Sequence, residues 1–205
     1  MFIVVKVTTV YMSLTDYRAK LCEKCGSYMI QHKTLIGYIK CHSCGYQKME
    51  NPIITLENYI TSTNSHPELL NDPGYTQEIK DNAGKLLDKV NAFLHELGIK
   101  EAKVNSGWRS PTINAGIPNA AKSSNHLKAL AIDLSDKNGE LRKLMLDNLE
   151  MAKKYGIYFE DMRWTPTWVH MQIVAPMSGK RIYVPSAAPA IKPDAWSGTY
   201  DAKYN

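Results

Sequence analysis

The sequence has no long hydrophobic run. No segment approaches the roughly 18 uninterrupted apolar residues that a membrane-spanning helix needs. The opening segment MFIVVKVTTVYM is too short for that purpose, and it has neither a basic n-region nor a small-residue cleavage site. We therefore expect no membrane span and no secretory signal peptide, with synthesis in the cytoplasm. Such a protein acts outside the membrane only if another component releases or carries it.

The sequence also has no dense block of one charge. Its 25 basic and 20 acidic residues give a net charge of +5, and the basic residues are scattered. This modest excess is compatible with an acidic partner, such as nucleic acid or another anionic polymer, but it identifies none. The length of 205 residues leaves room for one domain of about 100–150 residues plus a small module.

Cysteine is absent outside one short window in the N-terminal quarter of the chain. Cys22 and Cys25 form one C-x-x-C pair, and Cys41 and Cys44 form a second pair after fifteen intervening residues. Four thiolates at this spacing are typical of a structural zinc site, and a glycine after each pair can adopt the positive φ of a tight turn. Two disulfides in an exported protein are the alternative.

The segment QHKTLIGYIK between the cysteine pairs predicts a β-hairpin, so residues 1–50 are expected to contain a zinc ribbon. In such a small module the metal substitutes for a hydrophobic core. Zinc ribbons often bind nucleic acid or proteins, and a partner of either kind remains open for this module. Its basic and aromatic residues do not form a dense basic stripe, which argues against nucleic acid.

The rest of the chain divides into three predicted parts. Residues 51–75 are dense in turn formers and are expected to be a linker or surface excursion, and residues 186–205 are expected to be an extended tail. Apolar residues recur every three or four positions over 76–97, which predicts an amphipathic helix. A second helix is predicted over 141–155, and strands are predicted at AKVNSGW, ALAIDLS, IYFE, TWVHMQIV and RIYVP. We therefore predict an α+β domain over 76–185, with an antiparallel sheet and flanking helices.

A lone carboxylate lies inside one of the apolar strands. Strand alternation places Asp133 on the same face as the small residue Ala131, with space beside it. A buried carboxylate is costly unless it is paired, and a metal ion is one such partner. In TWVHMQIV the alternation directs His170 away from the apolar face. His126 lies just before the strand ALAIDLS, which contains Asp133. Two histidines and one carboxylate form a three-ligand zinc site with an open fourth position.

These residues resemble the signature of the M15 zinc peptidases, which include D-alanyl-D-alanine carboxypeptidases and dipeptidases, L-alanyl-D-glutamate endolysins and the related hedgehog-type fold. SSNHLKALAID matches the pattern S-x-H-x-x-G-x-A-x-D, except that Ala129 stands where glycine is usual. TWVHMQ matches the third ligand, and VNSGWRSP resembles the segment S-G-[aromatic]-R-[ST]. The three motifs occur in the family's order, between about residues 76 and 185.

The resemblance implies a hedgehog-type fold with a catalytic zinc held by His126, Asp133 and His170, in addition to the structural zinc of the cysteines. It also implies that Arg109 binds the carboxylate or neighbouring acyl group of the substrate, because a planar guanidinium grips a carboxylate with two hydrogen bonds. Ser124 and Trp168 are further candidates for substrate binding.

The chain departs from the family pattern at the expected general base. Many members carry an acidic residue three positions before the last histidine, where this chain has Thr167. Glu160 and Asp161, at the end of a predicted strand, could fold back towards His170 across a hairpin. We place Asp161 slightly ahead of Glu160 as the catalytic acid.

The resemblance implies a zinc-dependent peptidase that hydrolyses peptidoglycan stem peptides, either as a D-alanyl-D-alanine carboxypeptidase or as an endolysin-type endopeptidase. A ribbon-bearing chain without an export signal would suit a bacteriophage lysis enzyme or virion component acting at the cell wall. The threonine at position 167 keeps a second hypothesis open, a catalytically impaired protein that binds wall peptide or another protein.

Overall fold

The computed structural model describes residues 20–30, 38–41, 43–44, 47–49, 51–62 and 66–185. The chain divides into two compact units, Met1–Glu50 and Asn51–Asn205, which we call the N-terminal and C-terminal units. The predicted tail, residues 186–205, lies outside the described residues. Across the described ranges, no helix has both the length and the apolar character that a membrane crossing requires.

The N-terminal unit contains a four-stranded antiparallel sheet. Its strands, in both chain order and sheet order, are β1 Lys20–Leu21, β2 Tyr28–Ile30, β3 Tyr38–Cys41 and β4 Gln47–Met49. Strands β2 and β3 pair directly, and their connection lies outside the described residues. Residues 31–37 of the predicted hairpin segment QHKTLIGYIK are part of that connection, and only the last three residues of the segment lie in β3. Among the described residues of this unit, Cys22, Ile39 and Cys41 form a small buried cluster.

The C-terminal unit is an α+β domain, so the predicted fold class is confirmed. Its helices are α1 Leu56–Thr61, α2 Gln77–Glu96, α3 Pro111–Gly116, α4 Glu140–Asp147 and α5 Leu149–Tyr155, with short 3-10 helices at Pro67–Asn71 and Asn125–Lys128. Its strands are β5 Val104–Ser106, β6 Ala131–Ser135, β7 Tyr158–Glu160, β8 Trp168–Gln172 and β9 Ile182–Tyr183. They form one sheet in the order β5-β6-β8-β7-β9, antiparallel except for the parallel pair β7 and β9.

Helix α2 is the central helix of the C-terminal unit, and it begins and ends where the sequence predicts. The Thr76 side chain accepts a hydrogen bond from the Ile79 backbone N–H at the start, and Gly98 follows the end with a φ of 75°. The Phe93 and Phe159 ring centroids, on α2 and β7, lie 6.1 Å apart, which joins the helix to the sheet. The buried face of the helix includes Ala83, Leu86, Leu87, Val90, Phe93 and Leu94.

The linker predicted for residues 51–75 is wrong, because this stretch packs into the core of the C-terminal unit. Its buried side chains, each at most 1% exposed, are Ile54, Tyr59, Ile60 and Leu69. The Asn91 side chain on α2 exchanges two hydrogen bonds with the Ile54 backbone, at 2.8 and 3.0 Å. The turn-forming residues of this stretch cap and separate short helices; Thr55, for example, caps α1.

Two further stretches differ from the sequence prediction. The loop expected after β5 contains the short helix α3, which Ser110 caps. The single helix expected over 141–155 is divided at Asn148, whose side-chain amide donates to the Leu144 carbonyl. A polar side chain that bonds to the backbone in this way competes with regular helix hydrogen bonding.

Gly107, which follows β5, allows α1 to approach the sheet very closely. A Cβ atom at this position would lie 1.8 Å from the Tyr59 carbonyl oxygen, so no other residue fits without a backbone shift. The Tyr59 hydroxyl in turn donates to the Ala131 carbonyl of β6 at 2.9 Å. The glycine of the S-G-W-R segment therefore fixes the contact between α1 and the two strands that lead into the candidate site.

We expect Gly107→Ala to lower the free energy of unfolding by about 1–3 kcal/mol or more, because the new methyl group overlaps backbone atoms. Gly84→Ala is the matched control, since Gly84 lies in α2 and a Cβ atom added there would have open space within 4 Å. A helix-interior alanine in open space should raise the stability by about 0.5–1 kcal/mol. Urea unfolding followed by tryptophan fluorescence reports on the C-terminal unit, because all four tryptophans lie in it. Equal stability of the two variants would contradict the close approach.

Candidate metal centre

His126 is held by the turn that precedes β6. The Ser124 hydroxyl accepts a hydrogen bond from the His126 backbone N–H at 3.3 Å, and the imidazole Nδ1 donates to the Gly107 carbonyl at 2.7 Å. This second bond fixes the tautomer and leaves the Nε2 lone pair for a ligand. Ala129 ends the turn in the left-handed region, with a φ of 55°. That conformation favours glycine, which accounts physically for the residue that the family pattern has here.

One polar side chain from each strand forms a row across the five-stranded sheet. The strands β5, β6, β8, β7 and β9 contribute, in that order, Ser106, Asp133, His170, Glu160 and Tyr183. The pair of His170 and Glu160 continues the antiparallel register in which Phe159 lies opposite Met171. Directly opposed residues point to the same face of a sheet, so these five side chains share one face. We call this set the polar row.

The ligand atoms of three residues converge beside the polar row. The His126 Nε2 atom lies 3.3 Å from His170 Nδ1 and 3.3 Å from Asp133 Oδ2, and His170 Nδ1 lies 2.7 Å from Asp133 Oδ1. Neighbouring ligands of a tetrahedral zinc ion with bonds of 2.0–2.1 Å are about 3.3 Å apart. All three side chains are buried. The donor set and two of its three separations therefore fit a zinc ion, and the third is the shorter distance of the hydrogen bond between His170 and Asp133.

The electrostatics of the three residues also fit a metal ligand set. Burial alone would raise the pKa of the Asp133 carboxyl, but His126 and His170 hold it far below its usual value. Burial lowers the pKa of His126, which keeps that imidazole neutral. Burial opposes protonation of His170 as well, yet the hydrogen bond with Asp133 raises the pKa of His170 above its ordinary value. A cation between the two side chains would replace the proton that Asp133 attracts to His170.

Arg109 lies against the metal-ligand carboxylate. Its Nε donates to the Ser106 hydroxyl at 2.8 Å, and its Nη2 donates to Asp133 Oδ2 at 3.0 Å. Its side chain is 13% exposed, and its backbone N–H donates to the His126 carbonyl. The guanidinium therefore orients Asp133 and compensates its charge. The sequence predicted a substrate-binding role for Arg109 and did not anticipate this contact.

The two candidate acids occupy different faces of the strand end. Asp161 is fully buried and bonds through both carboxylate oxygens to Arg163, with Oδ1 also accepting the Arg163 backbone N–H. Glu160 belongs to the polar row, and its half-buried carboxyl has a raised pKa because of burial, with His170 opposing the shift. Thr167 is exposed, in the turn before β8. Strand alternation thus turns Glu160 towards the site, whereas Asp161 turns towards Arg163.

The other expected substrate-binding residues take clearer positions. Ser124 caps the turn that carries His126, and Trp168 lies two residues before His170, on the same face of β8. Sequence reasoning did not find Ser106, Asn125, Gln172 or Tyr183 in the neighbourhood of the site. Tyr183 had a usable signal, since it alternates with the buried Ile182 in the predicted strand RIYVP.

The four cysteines of the N-terminal unit form a second candidate metal site. Cys22 Sγ lies 3.6 Å from Cys44 Sγ, and Cys25 Sγ lies 3.6 Å from Cys41 Sγ. These separations are far beyond a disulfide bond and close to the spacing of about 3.8 Å in a tetrahedral thiolate site with Zn–S bonds of 2.3 Å. No disulfide joins these four cysteines. The pKa of Cys25 is lowered to about 6, chiefly by hydrogen bonds from Ser27. A thiol that ionises near neutral pH is prepared for metal binding.

Two buried histidines and one buried aspartate converge at one face of the sheet in this α+β domain. Such a donor set is typical of enzymes that bind a single metal ion. The family model described as Peptidase M15 matches residues 60–172, more than half of the chain. The chain belongs to the peptidase M15 family. The match includes all three ligands, Arg109 and Glu160, and it excludes the N-terminal unit and β9. A comparison with curated proteins gives no match.

We expect the zinc-loaded full chain to bind two zinc ions, one at each ligand cluster. His126→Ala should remove only the ion of the C-terminal unit, and Cys25→Ser should weaken only the ion of the N-terminal unit, because the ligand sets share no residue. His95→Ala, which changes a histidine on α2 that belongs to neither ligand set, should retain two ions. Metal content measured by elemental analysis after dialysis tests this directly. Two zinc ions retained by the His126→Ala variant would show that the three converging residues do not bind metal.

Proposed function

We propose that this chain is a zinc-dependent peptidase that hydrolyses peptidoglycan stem peptides. The observation that carries the proposal is the polar row, in which the Glu160 carboxylate stands directly across from the ligand His170. A metal-dependent hydrolase needs a set of metal ligands and, beside it, an acidic side chain that can transfer protons. Membership of the peptidase M15 family supports a peptide as the substrate.

The three converging residues would hold the zinc ion. When bound, zinc in such a site supplies Lewis-acid polarisation of a carbonyl and activation of water at neutral pH. Asp133 is oriented by Arg109, and His126 is oriented by the Gly107 carbonyl, so two of the three ligands are fixed before any metal arrives. Such preorganisation reduces the cost of assembling the site.

Glu160 would act as the general base and later as the general acid. Its carboxyl lies on the metal face of the sheet, and burial raises its pKa above the ordinary value, which favours a part in proton transfer. Its position on a strand, paired on both sides, restricts its motion relative to His170. Thr167 therefore does not leave the site without an acid, which weakens the case for an impaired binding protein.

Arg109 would serve the substrate through the part of its guanidinium that does not contact Ser106 or Asp133. Among the described residues, its hydrogen bonds involve Nε and Nη2, so Nη1 is the group that can meet a substrate carboxylate or carbonyl. Trp168, on the same face, would contact the peptide beside it. The substrate in a bacterial wall is part of an anionic polymer, which agrees with the net charge of +5. A phage lysis enzyme or virion component is the setting that we favour.

We expect the zinc-loaded full chain to convert muropeptides to products of defined lower mass, with no conversion by His126→Ala. Mass spectrometry would show loss of a terminal D-alanine or division of the stem, and so identify the bond. Unchanged muropeptides from protein with zinc bound at both clusters would overturn the peptidase proposal and favour the non-catalytic binding protein.

The role of the acid is tested by Glu160→Gln and its neighbour control Asp161→Asn. Loss of general acid and base catalysis should lower kcat by about 10²–10⁴-fold in Glu160→Gln, with zinc retained. Asp161→Asn alters a carboxylate that binds Arg163, so its effect should appear in thermal stability and far less in kcat. Equal kcat values for the two folded variants would remove Glu160 from the mechanism.

A further inference from the structure

Tyr183 lies beyond the family match, yet the fold returns it to the candidate metal centre. Strand β9 pairs in parallel with β7, which places Tyr183 opposite Glu160 in the polar row. The Tyr183 ring meets the His170 ring edge to face, with centroids 6.5 Å apart and planes at 83°. Strand β9 thus supplies an aromatic contact to the candidate ligand His170.

The Tyr183 hydroxyl is committed to Gln172 by the hydrogen bonds around that amide. Gln172 Nε2 donates to the Val174 carbonyl at 2.6 Å, so the other end of the amide must be the oxygen. That oxygen accepts from Asn125 Nδ2 at 3.0 Å and lies 2.6 Å from the Tyr183 hydroxyl. Since the Gln172 oxygen can only accept, the Tyr183 hydroxyl must donate to it.

Gln172 therefore connects the two segments that carry the histidine ligands. Asn125 immediately precedes His126 in the turn, and Gln172 lies two residues after His170 on the same face of β8. Gln172 is 5% exposed. A buried amide whose oxygen and nitrogen both have hydrogen-bond partners is held firmly. Removing one of the two donors to the oxygen leaves that oxygen with a single partner.

We propose that Tyr183 is a positioning residue for the metal centre, which acts through Gln172 to fix His170 relative to His126. The inference rests on the proposed metal site and adds to it a residue from β9. The hydroxyl group sets the Gln172 oxygen, and the ring edge limits rotation of the His170 imidazole. Outer partners of metal ligands that act in this way typically change metal affinity by about 10–100-fold.

The test measures metal binding by the full chain in which Tyr183 is changed to Phe, which removes only the hydroxyl. Cobalt(II) is the probe, because thiolate and imidazole-carboxylate sites give distinct visible spectra and the two clusters are read separately. We expect binding at the imidazole-carboxylate site to weaken by about 10–100-fold, with altered bands for that site. Binding at the cysteine site should be unchanged, which provides an internal control.

Tyr155→Phe is the matched control variant. It also removes a hydrogen-bonded tyrosine hydroxyl, the one that donates to Glu96, from the side of the domain where α5 packs on α2. A general loss of stability would affect both variants, whereas a positioning role affects the cobalt bands of Tyr183→Phe alone. Asn125→Ala removes the other donor to the Gln172 oxygen and should weaken the same site, which gives a second variant if Tyr183→Phe folds poorly.

The outcomes separate this inference from the proposed function. Wild-type affinity and bands in folded Tyr183→Phe, with cobalt bound at the imidazole-carboxylate site, would overturn the positioning role and leave the peptidase proposal intact. Failure of the unmodified chain to bind cobalt at that site would overturn both. A weaker site in Tyr183→Phe and Asn125→Ala, with Tyr155→Phe unchanged, would establish the role.

Discussion

The ionised carboxylate of Asp133 is the constraint around which the C-terminal unit is arranged. It is 6% exposed, and an unpaired charge at that depth would cost several kcal/mol of stability. Arg109 and the two histidines compensate it, and each of these is held in turn by a neighbour on another element. The close approach of α1 at Gly107 belongs to the same arrangement, because the Gly107 carbonyl orients His126. A metal ion bound between these side chains would complete the compensation that the protein groups begin.

Sheet register explains how Glu160 lies beside His170 although Thr167 stands where the family pattern has an acid. In that pattern the acid and the last histidine are three residues apart on one segment. Under the proposed function the acid comes instead from the adjacent strand, and the antiparallel pairing of β7 with β8 sets the position of Glu160. Paired strands fix a side chain more firmly than a turn does, since each residue is held by hydrogen bonds along the ladder.

The sequence allowed prediction of those features that depend on local periodicity and spacing. The apolar repeat predicts α2. The alternation in ALAIDLS and TWVHMQIV predicts the faces on which Asp133 and His170 lie, and the M15 resemblance groups these two residues with His126. Long-range packing was not predictable in the same way. Residues 51–75 are rich in turn formers, but their few apolar side chains meet α2, which no local pattern reveals. Tyr183 reaches the site only because β9 pairs in parallel with β7, and a single sequence does not fix that register.

The two candidate metal sites differ in the chemistry of their ligands, with four cysteines in one and two histidines and an aspartate in the other. In the N-terminal unit, four soft thiolates can fill a closed shell, and two of these cysteines belong to the buried cluster that its described residues form. In the C-terminal unit, a large apolar core supports the sheet, so three harder ligands can leave a coordination position open. Under the proposed function, a zinc ion in the first unit would serve the fold, and a zinc ion in the second would serve the chemistry. The same chain can combine both because each ligand set lies within a single compact unit.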